Sequence, residues 1–251
     1  MRGPLAYIGG KRAVAKQIVA LLPRHHTYAE IFAGGAQVFF AKPQSAVEIL
    51  NDLDGELIGF YKVVQRHYEE LIRYMRFTIV SRKCFELLKA TNPESLTDVE
   101  RAARFLFLQK MSYAGRVTKQ NFRTGIVNPP GLNPERLPEL IEETHHRLAR
   151  VWLECLPYER VLAKYDSKET CIFADPPYYN LAHYRFNFAP DDFRLLAERL
   201  AKIDGKFVLT LNDVPQVREI FGPFRMKSVE MPYTAQKQAG RRFRELLITN
   251  F

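Results

Sequence analysis

The spacing of hydrophobic positions changes along the chain, and each change predicts an element. Val14, Ile18, Leu21 and Leu22 recur at helical spacing between Gly9-Gly10 and Pro23, which predicts a short helix. Residues 27–32 read as a strand that runs into the turn Ala33-Gly34-Gly35-Ala36, and an amphipathic segment starts near Gln37. Residues 47–50 predict a second strand ending at Asn51-Asp52-Leu53-Asp54, and Leu57, Phe60, Tyr61 and Val64 then mark a long helix. Strand, glycine turn, helix, strand, acid is the order of half a dinucleotide-type fold.

From about residue 66 to 165 the pattern becomes helical segments joined by polar, proline-bearing loops such as Asn128-Pro129-Pro130-Gly131. Parallel strand-helix order resumes with Cys171-Ile172-Phe173-Ala174, which ends in Asp175-Pro176-Pro177-Tyr178. A helix with Phe193, Leu196, Ala197, Leu200 and Ile203 on one face leads to a strand at 207–211. Two further strands are predicted at about 228–233 and 246–250. The pattern therefore predicts an α/β core from residues 1–60 and 165–251, interrupted by a mainly helical insertion at 61–164. No solenoid-period repeat or low-complexity tract alters that reading.

With 47% apolar residues over 251 positions, the chain can bury a sizeable core. No run approaches the roughly 20 apolar residues of a membrane span, and the opening residues lack the apolar centre of a signal peptide. A cytoplasmic protein without membrane contact is the expectation. Cys84, Cys155 and Cys171 form no paired motif and read as buried small hydrophobes. The pairs His25-His26 and His145-His146 lack metal-ligand spacing and read as surface or loop residues, so no metal is expected.

The net charge of +9 is concentrated in two places. Residues 101–134 carry Arg101, Arg104, Lys110, Arg116, Lys119 and Arg123 without an acid. Residues 236–244 carry Lys237, Arg241, Arg242 and Arg244, again without one, which leaves the rest of the chain near neutral. Two basic surfaces of this kind fit a phosphate backbone.

Candidate chemistry begins at Glu30-Ile31-Phe32-Ala33-Gly34-Gly35-Ala36, where glycines let backbone approach a ligand between strand and helix. Asp52 follows Gly34 by 18 residues at a strand end, near the offset at which an acid accepts hydrogen bonds from ribose hydroxyls; it could equally cap the next helix. The strongest signal is Asp175-Pro176-Pro177-Tyr178. Two prolines remove two backbone donors, so the loop presents acceptors. A planar amino group carrying two hydrogens needs acceptors: the Asp175 carboxylate and the Pro176 carbonyl, taking one hydrogen each, would pull the nitrogen toward tetrahedral geometry and aim its lone pair at a methyl donor. Tyr178 offers a ring face for stacking a base that has left the double helix.

Tyr7-Ile8-Gly9-Gly10-Lys11, Glu30-Ile31-Phe32-Ala33-Gly34-Gly35 and Asp175-Pro176-Pro177-Tyr178, in that order with a helical segment between the last two, resemble the Dam-like family of DNA adenine methyltransferases. The resemblance spans nearly the whole chain. It implies a Rossmann-like class I core that binds S-adenosylmethionine and an inserted target-recognition domain that binds double-stranded DNA. It also implies cofactor contacts for Tyr7, Lys11, Asp52 and Asp175, with Glu30, Phe32 and Gly34 in the same pocket, and a catalytic role for Asp175, Pro176, Pro177 and Tyr178. Two departures stand out. Ile31 occupies a position where the family usually has proline, and Tyr113-Ala114-Gly115-Arg116-Val117-Thr118 replaces the family's Tyr-Asn-Gly-Leu-x-Arg stretch, so a GATC target is not implied. Tyr113, Arg116, Lys119, Asn121 and Arg123, with Lys237, Arg241 and Arg242 from the second basic segment, are the expected DNA contacts.

Other readings remain. Cytosine N4 or adenine in RNA offers the same amino chemistry, and a DNA-binding protein with a degenerate cofactor pocket would share the basic segments. A nicotinamide dehydrogenase is disfavoured because the first turn lacks G-x-G-x-x-G. Oligomeric state is not readable, and a monomer is the default expectation.

Overall fold

The structure is a computed structural model that describes residues 1–126, 129–182, 184–232 and 242–251. A 3-10 turn at Lys11–Ala13 leads into α1 (Ala15–Leu21), then β1 (Thr27–Glu30), α2 (Gln37–Ala41), β2 (Val47–Asn51) and α3 (Gly55–Arg66). The helices α4 (Tyr68–Met75), α5 (Arg82–Ala90), α6 (Asp98–Met111) and α7 (Leu137–Leu148) follow, then β3 (Val151–Glu154) and α8 (Tyr158–Tyr165). The chain continues through β4 (Thr170–Ala174), α9 (Pro190–Leu200), β5 (Lys206–Asn212), α10 (Pro215–Ile220), β6 (Arg225–Pro232) and β7 (Arg242–Thr249).

Among the described residues the seven strands form one sheet in the order β3-β2-β1-β4-β5-β7-β6. The first five run parallel, while β7 lies antiparallel between β5 and β6. Sequential strands move outward from β1 to β3, and the chain then returns to place β4 on the other side of β1. That reversal makes β1/β4 the switch point, outside whose carboxyl ends an open α/β sheet opens a crevice for a ligand. Thr170, Cys171, Ile172, Phe173 and Ala174 are all buried, as a central parallel strand covered on both faces requires.

Two differences from the pattern-based reading concern boundaries. Residues Glu48–Asn51 pair with Val151–Glu154, so β3 belongs to the sheet although it falls inside the segment predicted as insertion. Four residues at a sheet edge, with Trp152 63% exposed, are too short and too solvated to show a strand period. Helix α3 likewise crosses the 60/61 boundary, and its buried residues Phe60, Val63 and Val64 share one hydrophobic core with Leu106 of α6 and Ile141 of α7. The helical segment is thus packed directly onto a helix of the sheet layer.

Smaller corrections follow from packing. Cys171 is buried, but Cys84 is only half-buried and Cys155 is exposed. His145 sits on α7 rather than in a loop, with its ring stacked 4.1 Å from that of Tyr68 and its Nδ1 3.1 Å from the Val64 carbonyl. His25 does lie in a loop, between α1 and β1, half-buried with Nδ1 on the Pro23 carbonyl and Nε2 on Ser45. The strand expected at 228–233 begins at Arg225 in β6, and Tyr233 lies outside the described residues. No helix among the described residues is long and apolar enough to cross a membrane.

Candidate active site

A crevice of about 520 Å³ opens at the β1/β4 switch point. Its lining includes Tyr7, Lys11, Phe32, Gly34, Asp52 and Asp175, which converge from four separate stretches of chain. The turn after β1 is shaped for close approach. Gly34 has φ +47°, a left-handed value, and a Cβ there would lie 3.2 Å from the Tyr7 ring. Asp52 fixes this turn: its Oδ2 accepts from the Gly34 amide at 2.9 Å and its Oδ1 from the Asp54 amide at 2.9 Å. The helix-capping alternative belongs to Asp54, which accepts from the Glu56 amide at the start of α3. Burial pushes the Asp52 carboxyl up to about 6, against the lowering effect of those amides.

Phe32 forms an aromatic wall with Tyr158 and Phe188, at ring separations of 5.4 and 5.6 Å. Tyr7 also lines the crevice, near-parallel to Tyr184 at 6.4 Å, and the Tyr184 hydroxyl donates to the Ile8 carbonyl. Arg185 reaches Asp54 at 3.1 Å, so the loop after Asp175-Pro176-Pro177-Tyr178 is tied down on both sides of the crevice. Glu30 also lines the crevice; it is 1% exposed and accepts from the Tyr28 hydroxyl. Desolvation raises its carboxyl to about 8, against the lowering effect of the Tyr28 hydroxyl.

Lys11 is 3% exposed, and its Nζ contacts both Asp175 oxygens at 2.7 and 2.8 Å and the Gly9 carbonyl at 3.0 Å. The family resemblance assigned Lys11 to the cofactor; here the buried ammonium is an ion-pair partner of the acid at the tip of β4. Thr210 of β5 donates to Asp175 Oδ1 at 2.6 Å. Asn212 exchanges two hydrogen bonds with the backbone of Tyr179, which pins the proline loop from the neighbouring strand. Tyr178 is half-buried, with Lys11 Nζ 4.8 Å from its ring centroid and its hydroxyl bonded to Glu245 of β7.

Sequence reasoning missed Thr210, Asn212, Tyr184, Arg185 and Glu245. Glu245 left a readable trace, an acid placed directly before the apolar run Leu246-Leu247-Ile248. The others are single polar residues at strand ends or in a loop and carry no spacing signal.

The first basic segment divides in two. Arg101 and Arg104 on α6 turn inward onto the buried Glu56, and Arg101 also pairs with Glu94. Lys110 is half-buried, and burial together with Arg12 lowers its ammonium to about 8. Beyond α6 a bridge between Ser112 and Phe122, with the Tyr113 amide donating to the Asn121 carbonyl, closes a hairpin-like loop. That loop brings Tyr113, Arg116, Lys119, Asn121 and Arg123 together. Gln109 buttresses it from beneath, donating to the carbonyls of Ala6 and Gly115, while the Ile8 amide also donates to Gly115. Lys237 and Arg241 lie outside the described residues, and Arg242 opens β7.

A parallel sheet with an antiparallel final hairpin, a glycine turn clamped by a strand-end acid, and an acid-proline loop beside it make a Rossmann-like, S-adenosylmethionine-dependent methyltransferase. Residues 7–235 match the family model of the D12 class N6 adenine-specific DNA methyltransferase, and the chain belongs to that family. It is 25% identical over 269 residues to a type II methyltransferase of Lactococcus lactis subsp. cremoris, covering 98% of this chain and 94% of that protein. A type II methyltransferase of Methanocaldococcus jannaschii is 26% identical over 289 residues, at 98% coverage of each. A DNA N-6-adenine-methyltransferase of Escherichia phage P1 is 28% identical over 238 residues; the alignment covers 88% of this chain and 31% of that longer protein. Among the described residues no group of His, Cys, Asp and Glu gathers as a metal site.

Proposed function

We propose that the chain methylates the N6 amino nitrogen of adenine in duplex DNA, at a defined sequence, after the base leaves the helix. The observation that carries this reading is Asp175, held by Lys11 and Thr210 at the carboxyl end of β4 beside a crevice of cofactor size. The donor set suits S-adenosylmethionine: Asp52 would hold the ribose hydroxyls, Phe32 and Tyr158 would flank the rings, and Tyr7 would cover the open side. That cofactor supplies an electrophilic methyl group on a sulfonium. Asp175 and the Pro176 carbonyl would then accept the two amino hydrogens, and Pro177 would keep the loop free of competing donors. The Tyr178 ring would stack on the flipped base.

The core is assigned to residues 1–60 and 165–251, extended by β3 and α8, and target recognition to the helical segment between. Tyr113, Arg116, Lys119, Asn121 and Arg123 would meet DNA from the hairpin-like loop, and Lys237, Arg241 and Arg242 from the second basic segment. The protein is assigned to the cytoplasm and to a monomeric state. Methylating DNA that lacks modified adenine, digesting it to nucleosides and weighing the product tests the reaction. N6-methyladenine is expected; N4-methylcytosine or an unmodified digest would overturn the reading, and single-molecule sequencing of the same DNA reads the target sequence.

A further inference from the structure

Glu245 is a buried carboxylate that none of the roles above uses. It is 8% exposed, at the register of β7 that faces Asn212 of β5 and Val229 of β6. Its Oε1 accepts from the Tyr178 hydroxyl and stands 4.0 Å from Lys11 Nζ. Its Oε2 is buried and has no hydrogen-bond donor among the described residues. A buried carboxylate oxygen left without a donor is costly, and such groups recur where a protein keeps charge for use. The titratable groups that face it are Lys11, Asp175, Tyr178 and Tyr184. Burial and the Asp175 charge push the Glu245 carboxyl upward, while Lys11 and the Tyr178 hydroxyl pull it down.

One cation and two carboxylates share this corner, so the cluster is net negative when both acids are ionised. The proposed reaction moves positive charge. The acceptor nitrogen's lone pair forms the N–C bond, the C–S bond breaks with its pair going to sulfur, and the positive charge passes from sulfur to the amine, which then loses one N–H proton to solvent. Asp175 and Lys11 together are close to neutral, so a neighbouring anion on the Tyr178 side supplies the field that favours charge arriving there. Resting on the function proposed above, we infer that Glu245 is a charge-balancing and positioning residue for methyl transfer: it anchors Tyr178 and offsets Lys11, so that the acceptor side stays net negative as the amine becomes cationic.

Glu245→Gln keeps the shape and the acceptor for Tyr178 but removes the charge, and Glu245→Asp keeps the charge on a shorter arm. Single-turnover methylation by Glu245→Gln should fall about tenfold or more, while calorimetric affinity for S-adenosylhomocysteine stays within about threefold of wild type. Glu245→Asp should recover most of that loss. A second readout needs no turnover. A carboxyl whose folded pKa is raised contributes stability at low pH that is lost as pH rises through the folded value, so Glu245→Gln should gain Tm relative to wild type as pH rises above the ordinary carboxylate range. A Glu245→Gln rate within about threefold of wild type would overturn the inference. So would equal rates for the Gln and Asp variants, or a Tm difference that ignores pH. A wild-type protein that binds S-adenosylhomocysteine yet methylates no DNA would instead defeat the reading on which this one rests.

Discussion

The crevice and the recognition loop both display charged residues in the sequence, but the fold treats those charges in opposite ways. In the crevice, charges are gathered from distant stretches and held in place: Lys11 by Asp175 across 164 positions, and Asp52 by the Gly34 backbone amide across 18. Along residues 101–123 a single uninterrupted basic run is pulled apart. Arg101 and Arg104 are drawn onto Glu56 inside the helical packing, whereas Arg116, Lys119 and Arg123 are carried onto the loop beyond α6. Burial explains the contrast. An ionised group in the interior must have a partner, so inward-facing helix positions recruit acids, while positions on an open loop stay hydrated and remain available to an outside anion.

The largest effect should come from the crevice. Asp175→Asn retains one acceptor oxygen but removes the charge that holds Lys11, and it turns one side of the group into a donor facing the amino hydrogens. Single-turnover methylation should drop by about two to three orders of magnitude, the range seen when one preorganised electrostatic partner of a transition state is lost. A variant with near-normal turnover would show that the Lys11–Asp175 pair is a structural strut.

Asp52 should give the next effect, on binding rather than rate. Asp52→Ala should weaken S-adenosylhomocysteine by about 10- to 100-fold, since hydrogen bonds to a charged group contribute roughly 1.5–3 kcal/mol, without changing DNA affinity in the absence of cofactor. The pH dependence has a fixed sign. Hydroxyl donors favour the ionised carboxylate, so cofactor affinity should hold above the Asp52 value of about 6 and decline as pH falls through it. Calorimetry across that range checks both statements, and the Ala variant should lose the pH dependence.

How much of this was legible follows the same division. The sheet strands, the glycine turn, Asp52 and the acid-proline loop lie at strand ends, where local hydrophobic period and turn chemistry set the position of a side chain, and each was placed from its neighbours alone. Strand β3 was not, because four residues at an edge show no period. The fate of Arg101 and Arg104 was not either, because it depends on Glu56, 45 positions upstream of Arg101, having an inward-facing place on α3. Thr210, Asn212 and Glu245 come from strands whose neighbours are fixed only by sheet order. Their local sequence says buried strand and nothing about the loop they would support.

Glu56 tests the inward half of the basic run. Glu56→Gln leaves Arg104, 10% exposed at its side chain, without its anion, while Arg101 keeps Glu94 and partial hydration. Discounting for that exposure, a loss of about 1–3 kcal/mol is expected, or a Tm lower by roughly 2–10 °C for a chain of this size. DNA affinity measured well below that Tm should not change. A weakened DNA complex would place this half of the run at the interface after all.

The smallest effect is the most discriminating between the two halves of the run. Each phosphate neutralised by a protein cation releases counterions, so removing one such cation reduces the slope of log affinity against log salt by about 0.9 on duplex DNA. Arg116→Ala, Lys119→Ala and Arg123→Ala should therefore each flatten the slope by up to about one unit, with only a few-fold fall in affinity at low salt. Arg101→Ala should lower Tm and leave the slope unchanged, because its guanidinium is committed to Glu56 and Glu94. Slopes measured by fluorescence anisotropy for the four variants test the assignment together. Equal flattening in all four would mean that the whole run meets DNA. Slopes unchanged at Arg116, Lys119 and Arg123 would move the phosphate-binding cations away from this loop, and the second basic segment would then become the first place to look.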